Sequence, residues 1–398
     1  MAFFSGKIPK KFKYPLASAR TVCLVKAIEE SEAGQKYWSK EKADEVTRSL
    51  MAETEDKSDA ARFIEQRAQL AFSKMAKESP SLRTMKLSYG TGILTAIVLV
   101  LGSYLVGAFG ERFLATGTEI NLFSPLFLAA IGWSLFLYAA LFLLALVSTL
   151  RRRHTEFPLR TTLAKFAAGL FAPKLITSSL RQEFLKIWAP ATLRLAQFRI
   201  SRVLHWAFLA FVAGIASSIA VRGLSGSYII GWELPGLNNA PDQVRDIFQA
   251  LWGWIPQILN LPALPDAETV AAMRLDRLAM APETADSIAP ASAWIPRLVI
   301  LFGAMILVPR LLLIAWDTVA IKYLRGHVAV PTEGGYFESI LKTDPAAPAP
   351  APEPEAKAED KPEEKAENAP EAKAEEKAED PAPQAEPEAG AEAQSPKA

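Results

Sequence analysis

Pro309–Arg310 lies inside an otherwise apolar run, and this pair is the most pointed chemical feature of the sequence. Charge within a bilayer costs about 3 kcal/mol on insertion scales. A proline inside a helix removes a backbone hydrogen bond and bends the axis. Two readings follow. A kinked helix presents a fixed cation to an anion, a lipid headgroup or a polar cavity, or Arg310 snorkels to the headgroups about two turns away. Arg297 sits closer to the other surface. Glu233 is on that side too, and a pair with Arg297 or Arg222 would tie an external loop, which also carries Trp232, to the helix ends.

The usual signatures of catalysis and ligand binding are missing. The sequence has no G-x-x-x-x-G-K-[ST], no G-x-G-x-x-G at a strand–helix turn and no H-E-x-x-H. His154, His205 and His327 are far apart and lack ligand spacing. Cys23, the only cysteine, excludes an intramolecular disulfide and a thiolate cluster within one chain. The expectation is therefore no catalytic residue, no cofactor, no metal and no enzyme activity. The first three apolar segments hold no acid, so they lack the carboxylate usual in proton- or sodium-coupled transport.

These residues need a membrane bundle to position them. Four windows can cross a bilayer, which takes about 20 apolar residues: Leu87–Gly110, Ile120–Leu150, Arg202–Arg222 and Trp294–Trp316. Ala210, Gly214 and Ser218 repeat at four-residue spacing, which favours close helix packing within the molecule. Between the second and third spans, residues 151–202 carry eleven Lys/Arg against two acids. Between the third and fourth, residues 222–293 carry four Arg against eight acids. Basic loops stay inside, so both termini and the basic loop are expected in the cytoplasm. Trp206, Trp294 and Trp316 stand near span ends, as an aromatic belt would.

The expected organisation is a cytoplasmic helical region over 1–86, spans one and two over 87–150, and a basic amphipathic loop over 151–202. Span three covers 203–221, an external loop 222–293 and span four 294–321. A cytoplasmic segment over 322–342 and a disordered Ala/Pro/Glu/Lys tail over 343–398 complete it. In the N-terminal region, helices are expected over 17–33, from Ser39 to about Glu53, and from Ser58 to about Ser79. Ile64, Ala68, Ala71 and Met75 form one stripe of the last of these. Pro173 and Pro190 are expected to divide the basic loop into two or three helices. Those helices either lie among anionic headgroups, or they simply continue the transmembrane helices or pack on the N-terminal domain. In the external loop, helices are expected over 242–253 and from Asp266, forming a small lid.

Several stretches together resemble the bacterial membrane proteins grouped as domain-of-unknown-function family 2868. They are Leu24-Val25-Lys26-Ala27-Ile28-Glu29, Arg222-Gly223-Leu224 and Tyr228-Ile229-Ile230-Gly231-Trp232-Glu233. Leu264-Pro265-Asp266, Trp294-Ile295-Pro296-Arg297-Leu298 and Val308-Pro309-Arg310-Leu311-Leu312-Leu313 complete the set. The resemblance covers about residues 17 to 342. It implies an inner-membrane protein of unknown biochemical role, with a cytoplasmic GTPase as a candidate partner. This chain departs from the pattern at Leu234-Pro235-Gly236, and low-complexity sequence follows Leu341 where relatives continue as a soluble region.

The expected fold is an all-α polytopic membrane protein with four transmembrane helices, an N-terminal cytoplasmic helical domain and a disordered C-terminal tail. The leading functional expectation is a scaffold or regulatory partner that recruits a cytoplasmic protein, with anionic lipid at the basic loop and no nucleic acid. The alternative is a transporter or lipid-handling protein using the kinked fourth helix and Arg310.

Overall fold

The computed structural model describes residues 8–54, 58–78, 90–114, 119–151, 162, 178–224, 228–259 and 261–343. The low-complexity tail, Pro173 and most of the basic segment before residue 178 lie outside these residues. Four long apolar helices make the chain a multi-pass membrane protein.

The N-terminal segment begins with a strand, β1 (Lys11–Tyr14), followed by helices α1 (Leu16–Glu30), α2 (Glu32–Gln35), α3 (Lys40–Glu53) and α4 (Ala60–Glu78). Ser39 caps α3 by accepting from the Lys42 N–H. Asp59, not the expected Ser58, accepts from the Arg62 N–H at the start of α4. Ile64, Ala68, Ala71 and Met75 are all buried, as their spacing requires.

The first span is α5 (Gly90–Leu114) and the second is α6 (Pro125–Arg151), with the short strand β2 (Glu119–Asn121) between them. α5 is apolar on all sides, and Leu94, Val98, Leu101, Leu105 and Phe109 are exposed on it, as suits a helix solvated by lipid. The third span belongs to one 46-residue helix, α7 (Ser178–Gly223), which runs straight through Pro190. The expected break there does not occur. The carbonyl that Pro190 leaves unbonded belongs to Lys186, and both residues are exposed. Water can satisfy that carbonyl, so the proline costs little at this position.

On the far side stand β3 (Ile229–Gly231), α8 (Pro241–Trp252), α9 (Ile255–Leu259), α10 (Ala267–Ala272), α11 (Leu275–Met280) and α12 (Ala285–Ile288). β2 and β3 pair in parallel. Asp266 caps α10 through the Thr269 N–H. The core of this cap is aromatic, with Phe248, Trp252 and Trp294 meeting edge to face. Trp294 is therefore a core residue and not part of an interfacial belt. Trp206 and Trp316 are exposed.

The fourth span joins α13 (Ala291–Phe302), a π-helical turn at Gly303–Leu307 and α14 (Val308–Gly326). Strand β4 (Val328–Pro331) and helix α15 (Tyr336–Leu341) follow. β4 pairs antiparallel with β1. Phe12, Val330, Phe337, Ile340, Leu341, Leu180, Phe184 and Trp188 share one core with α1, α3 and α4. The soluble domain on this side is thus not the N-terminal region alone. It also needs the start of α7 and the segment after the fourth span. The apolar face of residues 178–200 is buried in it, and the same stretch continues the third span as one helix, so it both packs on the domain and extends a transmembrane helix.

Candidate functional site: an intramembrane cleft beside Arg310

The fourth span reaches Arg310 through the π-helical turn. Pro309 has no N–H to donate, and the Val308 N–H bonds to the Gly303 carbonyl five residues back. One extra residue in a turn rotates everything after it by roughly 100°. That rotation belongs to the half of the helix that carries Arg310.

Arg310 does not snorkel. It is 2% exposed and faces the interior of the bundle. Its Nη1 lies 3.2 Å from His205 Nδ1 on α7, and its Nη2 donates to Ser134 Oγ on α6 at 3.5 Å. Tyr138, one turn beyond Ser134, also faces it. The guanidinium lies over the Phe208 ring at 3.9 Å. His205 Nε2 is 3.9 Å from Asp317 Oδ2 and 3.4 Å from Ser201 Oγ. Asp317, two turns past Arg310 on α14, is buried. One imidazole thus stands between a cation and a carboxylate, in a setting where neither charge could be held alone.

This cluster borders a cleft of about 740 Å³ between α5, α6 and α7. The first span leans on α7 and the second on the π-helical turn. Gly102, at the midpoint of α5, lines the cleft, as do Trp133, Phe136, Phe208 and Phe211. Arg310, His205, Ser201 and Ser103 provide its polar side chains. Val98, Val106 and Phe136 are more than half exposed, so the cleft opens sideways towards lipid. The arrangement suits an apolar chain along the walls and a hydrogen-bonding head at the polar end.

The other sequence candidates form separate structural ties. Arg222 pairs with Glu111 at the cap end of α5, not with Glu233. Arg297 donates to the carbonyls of Ala293 and Pro262, anchoring the cap to α13. Glu233 is exposed, and its backbone makes the link: its N–H and carbonyl bond reciprocally to the Asn121 side chain. Trp232 is fully buried and donates to the Val270 carbonyl at 2.7 Å.

A second buried network lies in the soluble domain. Arg67 is 3.0 Å from Glu29, donates to Thr47 and the Ala43 carbonyl, and meets the Tyr336 hydroxyl. Tyr336 donates to Glu29 at 2.7 Å. Burial opposes the Arg67 charge, but Tyr336 and Glu29 outweigh it and its pKa is raised. Burial and the Glu29 charge push the Tyr336 phenol well up. Lys26 donates to the Glu333 carbonyl and lies over the Phe337 ring. Lys26 and Glu29 of the quoted N-terminal motif therefore grip the segment after the fourth span.

Asp317, His205, Ser134 and Ser201 were not among the sequence candidates. Asp317 is legible in the sequence, since the fourth span expected over 294–321 contains it, seven residues from Arg310 on the same face. The chain matches no protein-family model, no curated protein and no solved structure.

Proposed function

We propose that this is a lipid-handling protein of the bacterial inner membrane that takes an amphiphile into the cleft beside Arg310. The carrying observation is the pairing of an apolar cleft, open to lipid at mid-span, with a buried cluster of hydrogen-bond donors at its wall. That geometry favours the reading over a recruiting scaffold, whose support is the broad basic surface alone. In this reading both termini and the soluble domain are cytoplasmic, as the basic residues of 151–202 and the acids of 222–293 support. The family resemblance belongs to the same proposal, supported by the structural roles of Lys26, Glu29, Trp232 and Arg310.

The test is lipid extraction from purified protein. A Cβ at Gly102 meets nothing within 4 Å, so Gly102→Phe fills the cleft without a backbone clash. Wild-type protein should carry a specific amphiphile that Gly102→Phe lacks. Identical lipid profiles would end the proposal. For sidedness, an impermeant maleimide on whole cells should label Ser287→Cys in the cap and spare Ser73→Cys. The reverse pattern would overturn the orientation.

A further inference from the structure

We infer that the head taken by this cleft is flat and uncharged, with carbonyl acceptors: the ring of a prenylated quinone rather than an anionic headgroup. The inference rests on the lipid-handling reading and specifies its ligand.

The first argument is hydrogen-bond polarity. An arginine can only donate. His205 Nδ1, 3.2 Å from Arg310 Nη1, must therefore accept, which assigns the ring proton to Nε2. Nε2 then points a donor towards Ser201 and Asp317. The polar side chains of the wall are Arg310, a His205 whose Nδ1 is already occupied, and the serines Ser201 and Ser103. Ser103 donates to the Leu99 carbonyl of its own helix. Arg310 Nε is buried without a hydrogen-bond partner among the described residues, and an unanswered donor is complemented by a head that accepts.

The second argument is charge. Among the described residues that line the cleft, Arg310 is the only charged one, and its charge is already answered. Asp317 stands across the imidazole, and the Phe208 ring covers the guanidinium at 3.9 Å. An anionic head would add a second negative charge to a balanced pair in a low-dielectric interior. An uncharged carbonyl accepts the same hydrogen bonds and leaves the balance intact.

The third argument is depth and shape. Arg310 borders the same cleft as Gly102, the midpoint of α5. A charged headgroup must leave the interface to reach that depth, whereas an uncharged ring dissolves there. Trp133, Phe136, Phe208 and Phe211 offer faces and edges on which a planar ring can stack.

The experiment titrates the full-length protein in detergent with decylubiquinone and, separately, with oleate, following tryptophan fluorescence. Trp133 lines the cleft, so Trp133→Phe isolates its share of the signal. Decylubiquinone should quench saturably, and the Trp133 share should vanish in Gly102→Phe. Ser201→Ala, a substitution at a half-buried site, should weaken quinone binding about tenfold, and a tenfold excess of oleate should not compete. If oleate displaces the quinone or binds alone, the head is an anion: this inference falls and the lipid-handling reading stands. If neither probe gives saturable binding sensitive to Gly102→Phe, and the wild type carries no extracted lipid, both fall.

Discussion

Arg310 and Asp317 meet opposite edges of the His205 ring, at 3.2 Å from Nδ1 and 3.9 Å from Nε2 respectively. Three groups from two helices thereby hold a cation and a carboxylate inside the membrane, each the justification for the other. Removing one should cost more than removing both. Asp317→Leu should destabilise the protein by about 3–5 kcal/mol in detergent unfolding. The Asp317→Leu/Arg310→Met double variant should recover most of that loss. A loss in the double variant equal to the sum of the Asp317→Leu and Arg310→Met losses would show that the pair is not coupled.

The crossing of the first and third spans depends on two glycines. A Cβ at Gly214 would fall 2.1 Å from the Tyr104 carbonyl oxygen, and one at Gly107 would fall 2.0 Å from that of Phe211. Neither neighbour can yield, because each is helix backbone. Gly214→Leu should abolish the monodisperse peak in size-exclusion chromatography. Gly102→Leu, which meets open space, should leave it unchanged, with stability within about 0.5 kcal/mol of wild type.

Tyr336→Phe deletes the hydroxyl shared by Glu29 and Arg67. The expected loss is about 1.5–3 kcal/mol, the range for hydrogen bonds to charged groups. Cys23 supplies the readout, being the sole cysteine and fully buried. Its labelling by a maleimide in mild denaturant should accelerate in Tyr336→Phe. An unchanged rate would mean that the tyrosine does not hold the domain closed.

The same domain should weaken in alkali. Burial raises the Cys23 thiol from 9.0 to about 12, and it also raises the Tyr14 phenol. In the folded state both groups stay neutral, while in the unfolded chain they ionise at their ordinary values. Stability is therefore fully present below about pH 8.5 and falls as pH rises from there towards 12, by up to about 1.4 kcal/mol per pH unit for each group. Urea midpoints at pH 8, 9 and 10 should trace that decline, and Cys23→Ala should reduce its slope. A flat profile in the wild type would refute it.

The spans, the stripe from Ile64 to Met75 and the caps at Ser39 and Asp266 were legible because each is local. Apolar length, 3.6-residue spacing and a side-chain oxygen before a helix can all be read within one segment. Pro190 misled because the cost of a helical proline depends on whether the orphaned carbonyl reaches water, and that depends on the tertiary fold. The four-residue strand β1 and its partner β4, more than three hundred residues apart, had no local signal to offer. The Arg310 site was half legible. The charge stood out in the apolar run, but its partners lie on two other spans and beyond Trp316. Glu233 and Arg297 share a side of the membrane, and the structure gives them different tasks because backbone carbonyls, which sequence patterns do not display, satisfy the arginine.

The pairing of Lys11–Tyr14 with Val328–Pro331 sets a timetable for biosynthesis. The helices from Leu16 to Glu78 emerge from the ribosome first, yet their shared interior lacks Val330, Phe337 and Leu341 until translation has passed all four crossings. Synthesis of all four spans must therefore precede completion of that domain. A nascent chain stalled before residue 328 should carry an unfinished, protease-sensitive head, however long the pause.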